Sequence, residues 1–318
     1  MNKRAKIFVT NPEEMIGSAI LRRLKKAGFN RLVAKNPSEL DLTDQKVAFD
    51  FFMDEKLDYV FLTSAKIGGI LANSRFPAEF IYLNLQCEMN VIHSAWKAGV
   101  RKLLFLASSC VYPKDSPQPM KEEYLLTGKL EPTSEPYAIA KIAGIRMCQA
   151  YNAQYGTNFI SVVPGDLYGP GDDFDPETAH VLPSLIARMH NAKISQQPEV
   201  IAWGTGSPRR EAFHVDDLAD ACLFLMDSYS DSEMINAGTG GDVSIKELAR
   251  LIKDVVGFKG RVVFDESKPD GAPRKLLDVT RIKNLGWSPK IGLEEGIGQT
   301  YEWYKANLAT EGGVRELK

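Results

Sequence analysis

Two residues on one predicted helix set the chemistry to look for. In Tyr137-Ala138-Ile139-Ala140-Lys141 a phenol and an ammonium stand four positions apart, which on a helix puts them on one face. A phenol ionises near pH ~10 and exchanges protons poorly at neutral pH, whereas an adjacent cation favours the phenolate and lowers that value. Ser108 and Ser109 follow the apolar run Leu103-Leu104-Phe105-Leu106, and a hydroxyl at a strand end can hydrogen-bond a substrate oxygen. Together these groups suit proton transfer between a carbonyl and an alcohol. A Tyr-x-x-x-Lys spacing alone also falls on solvated helix faces. The paired serines and the strand that delivers them separate this one from that background.

Such a site needs strand ends and helix faces in one frame, and the first half of the chain alternates the two. Lys6–Thr10, Arg31–Ala34, Tyr59–Thr63, Lys102–Ser108 and Asn158–Val163 are short apolar runs that predict strands. Between them Met15–Lys26, with Ile16, Ile20 and Leu24 on one face, Val47–Glu55, Ala78–Ala98 and Pro136–Tyr155 predict helices. This alternation predicts an α/β fold, a doubly wound, Rossmann-like parallel sheet with helices on both faces. Ligands of such sheets sit beyond the carboxyl ends of the strands. Past residue 170 the spacing loosens. Helices at His180–Ala192, Val215–Asp227 and Ser244–Val256, with strands at Val200–Trp203 and Val262–Phe264, predict a smaller α+β part. The expected units are 1–170 and 171–318, with part of the later chain returning to the large sheet.

The chain has 318 residues, enough to bury a sizeable core. Its 39 Lys+Arg against 41 Asp+Glu, a net charge of -2, give no electrostatic reason to expect nucleic acid or an anionic membrane as partner. No apolar run approaches the ~20 residues of a membrane helix. Ile7-Phe8-Val9 is too short for a signal-peptide core, so a cytoplasmic protein is expected. Cys87, Cys110, Cys148 and Cys222 form no C-x-x-C pair, and neither a disulfide framework nor a metal site is expected.

Several ungapped stretches carry a family resemblance. They are Ala65-Lys66-Ile67-Gly68-Gly69-Ile70, Leu104–Pro113, Glu131–Lys141, His214-Val215-Asp216-Asp217 and Lys268–Lys275. On these the chain resembles the extended short-chain dehydrogenase/reductases over nearly its whole length. Within them it is similar to the branch acting on GDP-4-keto-6-deoxy-D-mannose. The resemblance implies an epimerase/reductase that inverts C3 and C5 of that GDP-sugar and reduces C4 with NADP(H). It implies Ser108, Tyr137 and Lys141 as the reductase triad, and Cys110 and His180 as base and acid of epimerisation. Ser109, Arg188, Trp203, Arg210, Asp270 and Lys275 are implied contacts of the nucleotide sugar. The cofactor is implied to run along Asn11, Ile16 and Gly17, then Lys35, Asp41 and Leu42. It continues past Ala65, Leu106 and Ala107 to Lys141, Pro164, Asp166, Leu167 and His180. On this view residues 1–170 bind the dinucleotide and 171–318 mainly the nucleotide sugar.

The chemistry agrees with these roles. A C4 ketone acidifies the hydrogens at C3 and C5, and a thiolate and an imidazole can remove and return them. The residues alone also allow plainer roles. Cys110 can be a small buried hydrophobe, His180 a helix cap, and Trp203 a core residue rather than a ring stacked on guanine. Arg188 and Arg210 can be surface charges rather than bidentate diphosphate ligands. Cys87, Cys148 and Cys222 sit in helical apolar patterns and are expected in the core.

Two segments depart from the family. The turn after the first strand, G-x-x-G-x-x-G in these proteins, is Asn11-Pro12-Glu13-Glu14-Met15-Ile16-Gly17, with only the third glycine kept. Asn11 tolerates a left-handed conformation. Glu13 and Pro37 stand where the family carries arginines for the 2′-phosphate of NADP, and Lys35 is the nearest remaining cation. No Asp or Glu directly ends the second strand, so a ribose clamp for NAD(H) is not evident, although NAD(H) stays open as a cofactor. Further on, Pro164-Gly165-Asp166-Leu167-Tyr168-Gly169-Pro170 replaces P-T-N-L-Y-G-P, so a group able to donate becomes an acceptor.

Asn11-Pro12-Glu13-Glu14 also has the composition of a helix start, with Asn as N-cap, Pro next, and Glu14 placed for a capping box. The expectation is that these carboxylates occupy the helix end that a Rossmann fold offers to pyrophosphate. Dinucleotide would then bind weakly or in a displaced pose. Three functions remain in view: the epimerase/reductase above, a reductase of a variant GDP-4-keto sugar (a 3,6-dideoxyhexose or heptose), and a non-catalytic nucleotide-sugar-binding homologue. A homodimer through Ala78–Ala98 and Pro136–Tyr155 is expected.

Overall fold

The computed structural model describes residues 1–63, 66–175, 179–268 and 270–308. Strand β1 (Ile7–Thr10) is Ile-Phe-Val-Thr with all four residues buried, the pattern of a strand covered on both faces. It is followed by α1 (Met15–Lys26), β2 (Leu32–Lys35), α2 (Gln45–Glu55), β3 (Tyr59–Leu62), α3 (Ile70–Arg75), α4 (Pro77–Lys97), β4 (Lys102–Leu106), α5 (Glu135–Tyr155), β5 (Phe159–Pro164) and β6 (Asp166–Tyr168). Then come α6 (Val181–Ile194), β7 (Glu199–Trp203), β8 (Arg209–Arg210), β9 (Ala212–His214), α7 (Val215–Ser228), β10 (Ile235–Ala237) and β11 (Val243–Ser244). The last elements are α8 (Ile245–Val256), β12 (Arg261–Asp265), β13 (Arg274–Lys275), α9 (Thr280–Asn284) and α10 (Leu293–Leu308).

Among the described residues the main sheet has six strands in the order β10-β5-β4-β3-β1-β2, each adjacent pair parallel. The doubly wound α/β expectation holds. Chain order reverses at β1, with β2 on one side and β3 on the other, which makes the switch point where such sheets bind ligands.

The later chain does return to this sheet. β10 pairs with β5, α7 packs on α1, and Phe213, Leu218, Cys222, Ile235 and Trp287 belong to the main core. A second core joins Leu185 and Met189 of α6, Leu248 and Ile252 of α8, and Ile297 and Tyr301 of α10. Small sheets border it: β12 with β7, β6 with β9, and β11-β8-β13.

Helices α4 and α5 pack along each other and position the reactive groups. Pro77 and Pro136 lie in their first turns, where a missing N–H costs nothing. Gly156 ends α5 in the left-handed region, φ 65. Gly144 permits the close approach: a Cβ there would lie 2.4 Å from Phe105 Cζ and 2.9 Å from Glu88 Oε2. Cys87, Cys148 and Cys222 are core residues whose thiols burial pushes up to about 12. Among the described residues no helix is long and apolar enough to cross a membrane.

Candidate active site

Lys141, in the second turn of α5, is fully buried. Its Nζ donates to the carbonyls of Leu106 at 3.1 Å and Thr63 at 3.3 Å, so it ties the ends of β4 and β3 together. It lies 5.7 Å from the Tyr137 ring centroid. Glu88 of α4 approaches it to 3.0 Å. Burial alone would lower the Lys141 pKa, but Glu88 and then Tyr137 more than offset it and hold the ammonium above its ordinary value. Burial pushes the Glu88 carboxyl up, and the Lys141 cation pulls it part of the way back. Tyr137 is half-buried, its ring edge-on to Phe80 at 6.2 Å. Ser108 caps the short 3-10 turn Ser109–Val111 by accepting from the Cys110 amide at 3.4 Å; Ser109 is buried.

Cys110 and His180 share a charged neighbourhood. Burial pushes the Cys110 thiol up, opposed by a hydrogen bond to Ser108 and by the Lys275 and Lys141 cations. His180 precedes α6 without a side-chain capping bond, so the cap role is not the one it fills. Desolvation lowers its imidazole, with Asp166 and Asp173 opposing and Lys275 assisting. Lys275 Nζ in turn lies 3.2 Å from Asp166 Oδ1, and Arg210 Nε 4.0 Å from Asp166 Oδ2. Without ligand, the pair therefore rests as thiol and neutral imidazole.

The remaining nucleotide-sugar candidates are dispersed around β7, β8 and β13. Trp203 is 64% exposed, which removes it from the core and leaves its face open for stacking. Lys268 Nζ sits 5.7 Å from its ring centroid. Arg188 donates to the Ile201 carbonyl, and Arg210 to the carbonyls of Arg209 and Ala272 at 2.8 and 2.7 Å. Both guanidiniums are lowered by desolvation. Asp270 has a different occupation: its oxygens accept from the Thr205 amide at 2.9 Å and hydroxyl at 2.7 Å and hold the turn at Gly204.

The turn after β1 corrects one expectation. Asn11 is left-handed, φ 49, and the Glu14 amide donates back to the Asn11 carbonyl at 3.1 Å. Residues 11–14 are thus spent on a turn, and α1 begins only at Met15. Glu14 occupies the cap but makes no capping bond, and no acidic residue lies in the first turn. The capping box does not form, and the helix start is not sealed by the chain's own carboxylates. Ile16 and Gly17 are buried, and a Cβ on Gly17 would meet the Asn11 carbonyl oxygen at 2.1 Å, the close approach such turns demand of their last glycine. The centre of a dinucleotide fits here.

Glu13 swings sideways, and Asn36 Nδ2 donates to its Oε1 at 2.7 Å. Lys35 is exposed and lies 3.4 Å from Glu39. Asp41 accepts from Thr43, while Leu42 is buried with its carbonyl bonded to Asn90. Leu106, Ala107 and Pro164 are buried at the ends of β4 and β5, with Leu167 half-buried just beyond. Ala65 lies outside the described residues. The charges on these two loops are therefore Glu13 and Glu39 against Lys35.

Sequence reasoning missed three groups. Glu88 had a signal: with Val91, Ile92 and Ala95 it shares the buried stripe of α4, where a carboxylate needs a partner. The Thr10–Thr63 hydroxyl contact, 2.9 Å across β1 and β3, had none. Asp172 follows Gly171, which packs on Met15 at the start of α1; burial raises its carboxyl to about 7.

The parallel sheet, with a Tyr–Lys pair beside its carboxyl edge, defines a Rossmann-like protein of the kind that handles nicotinamide dinucleotides. The chain belongs to the NAD dependent epimerase/dehydratase family, whose model matches residues 7–238. It is 56% identical over 307 residues to GDP-L-fucose synthase 1 of Arabidopsis thaliana, covering 96% of this chain and 95% of that one. It is 50% identical over 313 residues to the GDP-L-fucose synthase of Escherichia coli (strain K12), covering 96% and 98%. Its fold is similar to that of a GDP-D-glycero-L-gluco-heptose synthase from Campylobacter jejuni, solved in the presence of NADPH. That match has a TM-score of 0.90 at 40% identity over 96% of this chain and 99% of that one.

Proposed function

We propose that this chain converts GDP-4-keto-6-deoxy-D-mannose to GDP-L-fucose, by proton exchange at C3 and C5 followed by reduction at C4. The observation that carries the reading is one shared electrostatic neighbourhood. Lys141 Nζ lies 5.7 Å from the Tyr137 ring centroid and its charge also reaches Cys110, while Lys275, 3.2 Å from Asp166, bears on both Cys110 and His180. Two reactions on one sugar require that adjacency.

In this reading the Cys110 thiolate removes the acidified protons and the His180 imidazolium returns them to the opposite face. One proton must first leave sulfur for the imidazole, because the resting state is the reverse. When bound, a nicotinamide dinucleotide supplies the hydride for C4. Tyr137 protonates the resulting alkoxide, Ser108 holds the same oxygen, and the Lys141 charge favours the phenolate that Tyr137 leaves behind. Arg188, Arg210 and Lys275 serve the diphosphate and Trp203 the base. The NADPH of the heptose synthase relative supports a nicotinamide dinucleotide as the cofactor class.

Residues up to about 170 carry the dinucleotide and the later chain mainly the nucleotide sugar. A homodimer fits the exposed apolar side chains Tyr82 and Met89 on α4 and Ile139 and Tyr155 on α5. A cytoplasmic location fits four free thiols.

The test is incubation of the purified protein with the keto sugar and reduced dinucleotide in deuterated water. Product with deuterium at C3 and C5 and hydride at C4 is expected. The absence of both exchange and cofactor oxidation would refute the reading. A variant GDP-4-keto sugar is the second reading, favoured by Asp166 in the place of the family's asparagine. A keto-heptose offered in the same assay tests it.

A further inference from the structure

We propose that the adenosine end of this site selects the dinucleotide without a 2′-phosphate, NAD(H) over NADP(H), with Glu13 as acceptor for the ribose hydroxyl. This rests on the oxidoreductase reading and concerns only which dinucleotide is held.

Strands β1 and β2 are neighbours, Thr10 facing Lys35, so the segments that follow them lie side by side. In doubly wound folds the residues about 20 beyond the glycine turn meet the adenosine ribose. An acid there accepts from the 2′-hydroxyl, and an arginine there binds a 2′-phosphate. The sequence shows no acid directly at the end of β2, but the structure supplies one from the other loop. Asn36, the first residue after β2, donates its side-chain amide to Glu13 Oε1 at 2.7 Å. That bond anchors one carboxylate oxygen beside the end of β2, and a carboxylate has acceptor capacity for more than one donor. The Asn36 backbone N–H donates to Glu39 Oε2 at 3.0 Å. That hydrogen bond and the adjacent Lys35 hold the Glu39 carboxyl below its usual value.

The charge balance is one-sided. Residues 11–14 and 35–40 contain Glu13, Glu14 and Glu39 against Lys35 alone. Lys35 is paired with Glu39 at 3.4 Å. A phosphomonoester carries a charge of about −1.5 to −2 near neutral pH. It needs cationic donors, bidentate ones for preference, and these segments offer it two carboxyl groups beside Asn36. A ribose hydroxyl suffers none of that repulsion and donates to the same carboxylate.

The experiment titrates NADH and NADPH separately into the full-length protein by calorimetry at fixed ionic strength, which needs no turnover. NADH is expected to bind at least tenfold more tightly. Glu13→Gln keeps an acceptor for Asn36 without the charge and should narrow the ratio. Glu13→Arg should invert it. Glu13 is exposed, so neither change threatens folding, and matching circular dichroism spectra check this. NADPH binding to the unmodified protein as tightly as NADH overturns the selection and leaves the reductase reading standing. A preference for NADH that both variants retain overturns the role of Glu13. Binding of neither dinucleotide overturns this proposal together with the reductase reading.

Discussion

The two ends of the proposed reaction site are built differently. At the C4-reducing end, Lys141 is fully buried and braced by the carbonyls of two strands and a carboxylate from α4. At the adenosine end, Glu13, Lys35 and Glu39 are exposed, and their contacts stay within two short loops. A change at Lys141 disturbs β3, β4, α4 and α5 at once. A charge reversal at Glu13 disturbs one hydrogen bond. Reaction chemistry is therefore tied to the packing of the fold, while the choice of dinucleotide can change on the surface without touching it.

The largest effect should come from the buried end. Tyr137→Phe removes the proton donor for C4 and keeps the ring against Phe80. Reduction should fall by about 10²- to 10⁴-fold, measured as dinucleotide oxidation, while deuterium still enters C3 and C5. Near-normal reduction would break the contrast, because the braced phenol would then be only a packing residue.

Glu88→Gln probes the brace itself. Removing one partner of a buried ion pair costs about 3–5 kcal/mol, so the denaturation midpoint should drop clearly. Without Glu88, the largest influence opposing burial on Lys141 is lost and its pKa falls, so the alkaline limb of reduction should move to lower pH. An unchanged midpoint and limb would show that Glu88 contributes nothing to the centre. This residue marks the limit of what the sequence shows. The strand and helix alternation, the Tyr137–Lys141 face and the serines at the end of β4 were legible because they are local in sequence. Glu88 and Lys141 lie on different helices, and only the packing of α4 on α5 brings them to 3.0 Å. The loop after β1 misled for the same reason. Asn-Pro-Glu-Glu has helix-start composition, but the left-handed Asn11 and the Asn36 side chain redirect it.

A smaller effect separates the epimerising pair from the reducing one. Burial raises the Cys110 thiol above its ordinary 9.0 and lowers the His180 imidazole below its ordinary 6.5. The rate needs one of the pair protonated and the other not. Exchange measured as kcat/KM should therefore show a plateau across neutral pH, with its acid limb below the ordinary histidine value and its alkaline limb above the ordinary cysteine value. Loss of rate within the neutral range would show that other groups carry the protons. Cys110→Ser should slow exchange by about a hundredfold while sparing reduction of an already epimerised ketone.

The smallest expected effect tests whether the sugar-facing cations belong with the braced end or the adjustable one. Asp166 holds Lys275 at 3.2 Å and Arg210 at 4.0 Å, all three side chains between 21 and 37% exposed. Partly solvated pairs of this kind are worth about 0.5–1 kcal/mol. Asp166→Asn keeps the volume, removes a negative charge and frees both cations for a diphosphate. GDP should then bind roughly two- to fivefold more tightly, the equivalent of that energy, in calorimetry at fixed salt. The same change acts on His180, where Asp166 and Asp173 raise the pKa and Lys275 lowers it. With Asp166 neutral, the imidazole should fall further, and the acid limb of exchange should move to lower pH. Tighter GDP and a shifted limb would make Asp166 a tuner of both phosphate affinity and proton transfer. Unchanged GDP affinity with an unmoved limb would reduce Asp166 to a brace between β6 and β13, and the cations would then belong with the rigid end.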